Sequence, residues 1–229
     1  MDMKPTNILK ILALTAAFCS ALNAQKDGLS TEKWPATKTY VQEKIEGFPI
    51  MVDPRFAKET KLRKAVLKEL ASQLYLVTRM VPAQALSKVR KVRIFVQRRS
   101  PNTCAAYHPS RRWLTNHKRN PDLTQCVELG NPKAFLSWTK GQPWMVLHEL
   151  AHGYHDQVFG YDDPTIIAAW KAKVDQGDYE EVLHITGKPR KHYALTNQME
   201  YFAETTEAYF GTNDFHPFVR GELLKVDPV

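Results

Sequence analysis

Residues 144–155, WMVLHELAHGYH, are the most informative stretch of the sequence. It contains His148-Glu149-Leu150-Ala151-His152, an H-E-x-x-H pentad, in an apolar pattern that predicts a helix over residues 142–158. Four residues advance about one helical turn, so His148 and His152 share a face on which two imidazoles can bind one Zn²⁺. Glu149 then lies beside the metal, where it can take a proton from a metal-bound water. The pentad therefore predicts zinc-dependent hydrolysis.

A catalytic zinc site usually needs a further protein ligand. The extended pattern H-E-x-x-H-x-x-G-x-x-H fails here, because Val158 stands where the last His would be. A Glu on a downstream helix is the other solution, and residues 197–210 predict such a helix, capped by Thr196 or Asn197 and ending at Gly211. Its carboxylates lie on one stripe, at Glu200, Glu204 and Glu207. By pattern alone, Glu200 is either the third ligand or part of a solvated acidic face.

The downstream segment also carries a wider pattern, Tyr193-x-x-Thr196-Asn197-x-x-Glu200-Tyr201-Phe202-Ala203-Glu204. Together with the pentad, it resembles the active-site and third-ligand helices of the anthrax lethal factor catalytic domain and the related Pro-Pro endopeptidases. These proteins are gluzincins, zinc peptidases whose third ligand is a Glu. The resemblance covers these two helices and not the remainder of the chain.

The resemblance implies a role for each matching residue. The zinc ligands would be His148, His152 and Glu200, and the general base would be Glu149. Tyr193, seven residues before Glu200, would support the transition state. Glu204, one turn after Glu200, would orient the first His from outside the metal's own ligands.

Two residues after the pentad invite further hypotheses. His155 lies seven residues after His148, about 10 Å along the helix axis, so one zinc ion cannot easily bind both. We therefore expect His155 to support the site or the fold without binding metal. Asp156 follows His152 by four residues and either accepts its second ring N–H or faces solvent.

The N-terminus predicts export. Residues 1–24 read as a signal peptide, with Lys4 and Lys10 before an apolar stretch too short to span a bilayer and Ala24 at the cleavage point. We expect a secreted or periplasmic protein, and no later segment predicts a transmembrane anchor. Signal cleavage would leave Cys104 and Cys126, which in an exported protein predict a disulfide.

The chain is basic, with a formal net charge of +8 and a pI of about 9.3. Its basic runs, at residues 88–99, 111–119 and 188–192, are typical of solvated surface. No zinc-finger, RNP-like or helix-turn-helix signature accompanies them, so we predict no specific nucleic-acid partner. Binding to an acidic cell-surface polymer or substrate is a weaker alternative interpretation of the basic runs.

The element pattern predicts an α+β fold, a zincin-like metallopeptidase domain with an active-site helix, a small sheet and a downstream Glu-ligand helix. We expect an extended lead-in at residues 25–50 and one domain at residues 51–229. Along the chain, the other expected elements are a helix at 54–80, strands at 92–96, 105–107 and 126–129, a helix at 164–176 and a strand at 182–185. Residues 127–129 are the expected border strand, along which a peptide would bind.

The sequence thus predicts an exported zinc metallopeptidase, an endopeptidase of the gluzincin type, with Zn²⁺ as cofactor and a peptide or protein as substrate. One rival is a non-catalytic cell-surface binding protein that keeps the zinc fold. Glu149 weighs against it, because a structural zinc site needs no base. The other rival is a basic polymer-binding module with a fortuitous pentad. Neither a cleavage sequence nor an oligomeric state follows from these patterns.

Overall fold

The computed structural model of the chain describes residues 34–102 and 105–228, and the signal peptide predicted at residues 1–24 lies outside them. The described residues form a mixed α/β fold with eight α-helices, a five-stranded mixed sheet and a short hairpin. The helices are α1 (Thr60–Met80), α2 (Ala83–Val89), α3 (Arg111–Asn116), α4 (Pro132–Trp138), α5 (Met145–Tyr154), α6 (Pro164–Gln176), α7 (Gln198–Phe210) and α8 (Arg220–Val226). The strands are β1 (Val41–Ile45), β2 (Phe48–Val52), β3 (Ile94–Val96), β4 (Ala105–Tyr107), β5 (Val127–Leu129), β6 (Val182–Leu183) and β7 (Pro189–Arg190).

The five-stranded sheet has the order β1-β2-β3-β5-β4. Strands β2, β3 and β5 run parallel, whereas β1 and β4 pair antiparallel at the two edges. Strand β5 is paired on both sides, so it cannot accept a further strand. Our expectation that residues 127–129 form the border strand was therefore wrong. On that side of the sheet, the edge strand is β4 at residues 105–107.

The sheet separates two apolar layers, and the strands alternate their side chains between them. Ile94 and Val96 of β3 face the main core, which α1, α2 and α5 cover with residues such as Leu70 and Leu150. Phe95 points to the opposite face, where it packs in a smaller cluster with Tyr40, Met51, Leu114, Leu123 and Cys126. A third cluster, which includes Tyr179, Tyr201 and Phe215, packs α6 and α7 against the chain's C-terminal part. Helix α5 is thus held between the sheet and α7.

Several boundaries differ from expectation. Strands β1 and β2 belong to the sheet, so the expected domain boundary at residue 50 falls inside β2. The helix expected from residue 54 opens as a 3₁₀ turn, Pro54–Lys58, before α1. Helix α5 ends at Tyr154 and continues as one π-helical turn, His155–Phe159. Helix α6 and the Asn197 cap of α7 are confirmed.

Cys126 is buried and has no disulfide partner among the described residues, and its Sγ lies 3.2 Å from the carbonyl oxygen of Thr124. Cys104, its expected partner, lies outside the described residues. The disulfide therefore stays a prediction.

In residues 34–102 and 105–228, no helix combines the length and the apolar character needed to cross a membrane.

Candidate metal centre

Helix α5 presents the pentad in a fully packed setting. Residues 145–153 are all buried, which is unusual for a short helix that carries two His and one Glu. The apolar members Val146, Leu147 and Leu150 pack into the main core. Gly153 allows a close approach, because a Cβ there would lie 3.1 Å from Val92 and 3.2 Å from the ring of Tyr107. The helix is therefore fixed against both the core and strand β4.

The two His side chains of the pentad meet the carboxylate of Glu200. Nε2 of His148 lies 3.1 Å from Nε2 of His152 and 3.1 Å from Oε2 of Glu200. The remaining side of this triangle, from His152 Nε2 to Glu200 Oε2, is 3.2 Å. Ligands at about 2.0–2.1 Å in a tetrahedral site are separated by about 3.3 Å, so the three donors fit one zinc ion. The three predicted ligand residues thus come together as a group that can hold a metal.

Glu200 reaches this position because of how α7 begins. The side chain of Asn197 caps the helix by accepting hydrogen bonds from the amides of Met199 and Glu200, each at 2.9 Å. Glu200 therefore lies in the first turn and is buried, with 3% of its surface exposed. This burial excludes the alternative interpretation, in which Glu200 belongs to a solvated acidic face. Burial alone would raise the pKa of its carboxyl, but the nearby rings of His152 and His148 lower it below the usual range.

Two further carboxylates on α7 lie behind His148. Nδ1 of His148 is 2.7 Å from Oε1 of Glu207 and 3.4 Å from Oε1 of Glu204. Both residues are buried, and burial together with the charges of Asp214 and Glu207 raises the pKa of Glu204 well above its usual value. The residue expected to orient His148 was Glu204, whereas Glu207 makes the shorter contact. Burial would lower the pKa of His148, but its hydrogen bonds to Glu200 and Glu207 raise it.

Glu149 lies between the pentad and strand β4. Its Oε2 accepts a hydrogen bond of 2.7 Å from the backbone amide of Tyr107. The next amide, that of His108, points the other way and donates to the carbonyl of Cys126, the residue before β5. Because amides alternate along a strand, the Tyr107 amide belongs to the free edge of β4. The predicted base and the free strand edge therefore meet at one place.

Tyr193, to which the resemblance gives a role in the transition state, lies beside one of the three predicted zinc ligands. Its ring stacks near that of His148, with 6.5 Å between centroids. Burial and the charges of Glu200, Glu204 and Glu149 raise the pKa of Tyr193, whose hydroxyl is hydrogen-bonded to Glu200. It stands on a 3₁₀ turn, Tyr193–Thr196, that leads into the cap of α7.

The two residues after the pentad have other neighbours. Asp156 accepts a hydrogen bond of 2.6 Å from the hydroxyl of Tyr107, and not from the ring of His152 as one of our hypotheses had it. His155 is fully buried and packs edge-on against Tyr161 and next to Phe202. Burial lowers the pKa of His155 to about 4, so its ring is neutral. Asp156 thus holds the edge strand to the π-helical turn, and His155 fills the space between that turn and α7.

Several residues around the site were missed at the level of sequence. Tyr107 was noted only within a short strand, because nothing in its neighbourhood marks a contact with Glu149. Gln142 and Trp138, which connect to Glu207, come from a segment without a recognisable motif. Glu207 could have been found, since it shares the stripe of Glu200 and Glu204.

Comparison of the chain with protein-family models, with curated proteins and with solved structures gives no match.

Proposed function

We propose that the protein is an exported zinc metallopeptidase of the gluzincin type, with a zincin-like arrangement of sheet, α5 and α7. The observation that carries this proposal is the triangle of donor atoms from His148, His152 and Glu200, with sides of 3.1–3.2 Å. Zinc takes imidazole and carboxylate ligands in this number and at this separation. Export rests on the predicted signal peptide.

When bound, Zn²⁺ would lower the pKa of a water toward neutrality and polarise the scissile carbonyl. Glu149 follows the first ligand directly on α5, so its carboxylate can accept the proton of the attacking water. The same carboxylate can then pass the proton to the leaving amine. A structural zinc site needs no such base, and this favours a peptidase over a binding protein.

Tyr193 would donate a hydrogen bond to the oxyanion that forms on the scissile carbonyl. A tyrosine hydroxyl is protonated at neutral pH, and burial raises the pKa of Tyr193 further. The hydroxyl is hydrogen-bonded to Glu200, so it would turn from that carboxylate to the oxyanion as charge develops there. Its position beside His148 supports this role.

The substrate would bind as an added strand along β4. This strand is an edge of the sheet, and the amides of Ala105 and Tyr107 alternate away from β5. A peptide backbone paired there would pass beside Glu149, the acceptor of the Tyr107 amide. The recognition of backbone atoms favours a peptide or protein substrate.

The test is cleavage of a mixed-sequence peptide library by the purified protein, read by mass spectrometry. We expect new peptide termini, their loss after treatment with a zinc chelator, and their return when zinc is restored. A protein that binds zinc but cleaves nothing would favour the non-catalytic binding protein. A protein that binds no zinc would favour the basic polymer-binding module.

A further inference from the structure

Glu207 is the best-connected carboxylate behind the candidate metal centre. Its Oε1 lies 2.7 Å from Nδ1 of His148 and accepts a second hydrogen bond of 2.8 Å from Nε2 of Gln142. Gln142 in turn accepts a hydrogen bond of 2.6 Å from the indole N–H of Trp138. An amide offers one donor end and one acceptor end, and each end of Gln142 has a matching partner. A directed chain therefore runs from Trp138 through Gln142 and Glu207 to His148.

This chain crosses between two parts of the fold. Trp138 ends α4 and Gln142 lies in the connection to α5, whereas Glu207 lies in the last two turns of α7. The same connection is packed tightly on α7, because a Cβ on Gly211 would lie 2.1 Å from the ring of Trp144. Two independent contacts thus fix the connection to the end of α7 that carries Glu207.

Glu204 is less suited to hold the ring of His148. Its Oε1 is 3.4 Å from Nδ1 of His148, against 2.7 Å for Oε1 of Glu207. The Oε2 atoms of both carboxylates are buried without a hydrogen-bond partner among the described residues, so they do not distinguish the two. By contrast, Oε1 of Glu207 accepts two hydrogen bonds. An acceptor that is itself hydrogen-bonded keeps one orientation, and the ring it binds is then held in one tautomer.

We propose that Glu207, held by Gln142 and Trp138, is the positioning residue that orients His148 for metal binding, and that Glu204 has the lesser part. This inference rests on the proposed zinc site and extends it to residues that contact no metal. Such outer hydrogen bonds fix the ring and raise the basicity of its ligating nitrogen. Glu207 would therefore act on zinc affinity through His148.

The test measures zinc affinity by competition with a chromophoric chelator, on the full protein and on single variants. Glu207→Gln should weaken zinc binding by about 10- to 100-fold. Gln142→Leu, which removes one donor to Glu207 at a half-buried position, should weaken it by about 2- to 10-fold. Glu204→Gln should have a smaller effect than Glu207→Gln. Among the described residues, the hydroxyl of Thr206 bonds only to the carbonyl of Phe202 on its own helix, so Thr206→Ala should leave the affinity unchanged.

Stoichiometry at saturating zinc separates this role from direct ligation, because His148, Glu204 and Glu207 form a second group that could hold a metal. We expect Glu207→Gln to keep about one zinc per chain and Glu200→Ala to lose it. The reverse pattern would place the metal on the second group and overturn the inference. The cobalt-substituted protein adds a readout, since a shifted absorption band in Glu207→Gln would report a changed His148 ligand.

The two proposals fail in different ways. A wild-type protein that binds no zinc would overturn both the metal site and the positioning role. Wild-type and Glu207→Gln proteins that bind zinc equally tightly would overturn the positioning role alone. If Glu207→Gln does not fold, Gln142→Leu decides: an affinity equal to that of the wild type would contradict the proposal.

Discussion

The backbone amide of Tyr107 donates a hydrogen bond of 2.7 Å to the carboxylate of Glu149. This contact joins the free edge of β4 to the residue that we assign as the general base. A peptide that pairs with β4 would therefore run past Glu149. Tyr107 is further held by Asp156 and Gln157, at 2.6 Å and 3.0 Å from its hydroxyl. These contacts hold Tyr107 in place and use its amide, so on the described edge of β4 a bound backbone would pair with the amide of Ala105.

We predict that Ala105→Pro weakens substrate binding without loss of zinc. Proline removes the amide of Ala105, which belongs to the free edge of β4, and it is tolerated on edge strands because the ladder to β5 uses other groups. The loss of one backbone hydrogen bond should raise KM by about 2- to 10-fold. Steady-state cleavage of a library peptide measures this effect. An unchanged KM in a folded, zinc-loaded variant would argue against peptide binding along β4.

We predict that Tyr193→Phe keeps zinc and fold but loses turnover. The substitution removes the hydroxyl that would donate to the oxyanion, and the loss of one such donor typically costs about a hundredfold or more in kcat. KM should change little, because the hydrogen bond forms only as charge develops. Zinc content and kcat are measured on the same preparation. A kcat within about twofold of the wild type would remove Tyr193 from the mechanism.

We predict that Glu128 makes the fold sensitive to acid. Burial would raise the pKa of its carboxyl, but His108, Arg119 and Ser100 stabilise the charged form and lower the pKa to about 2. In the unfolded chain the pKa lies near 4.5, so between these values the unfolded state binds more protons. This stabilisation is fully present above about pH 4.5 and is lost as the pH falls toward 2. Its full size is about 3 kcal/mol.

Urea unfolding at pH 6 and pH 3 measures this contribution. Glu128→Gln should be less stable than the wild type at pH 6, and its free energy of unfolding should fall less between the two pH values. Glu181→Gln, at an exposed position, is the matched control and should follow the wild type. A variant at residue 128 with the full acid dependence of the wild type would contradict the assignment.

We predict that Lys173→Met destabilises the fold but leaves the metal centre intact. Lys173 is buried with 1% of its surface exposed, and its Nζ bonds to the carbonyl of Val226 at 2.5 Å and to Asp178 at 2.9 Å. Loss of the ammonium leaves the Val226 carbonyl without this donor, at a cost of about 1–3 kcal/mol. Thermal unfolding should detect the loss, and zinc affinity at 25 °C is the control. A variant with unchanged Tm would show that this ammonium does not anchor the C-terminal part.

The local parts of the site could be predicted from the sequence. His148 and His152 share a face because helical spacing places them there, and Glu200 lies in the first turn of α7 because Asn197 caps it. Each of these relations depends on a few neighbouring residues. Such relations do not depend on the rest of the chain. Once α5 and α7 pack together, these relations bring His148, His152 and Glu200 into one group.

The parts that the sequence does not determine depend on distant contacts. Which carboxylate reaches Nδ1 of His148 is set by how α7 packs on α5, and a shift of less than one turn separates Glu204 from Glu207. The border strand was assigned to residues 127–129 because that segment comes just before α5 in sequence. Its place inside the sheet follows from the pairing of Phe95 with Glu128 and of Ala106 with Glu128 on the other side, which no local pattern encodes.

The most direct test of the proposed peptidase is turnover of one cleaved library peptide by wild type and by Glu149→Gln, with zinc content determined in both. Gln cannot accept the water proton, so the account predicts full zinc occupancy in both proteins and a loss of turnover of about 10²- to 10⁴-fold in the variant. Undiminished cleavage by zinc-loaded Glu149→Gln would contradict the account.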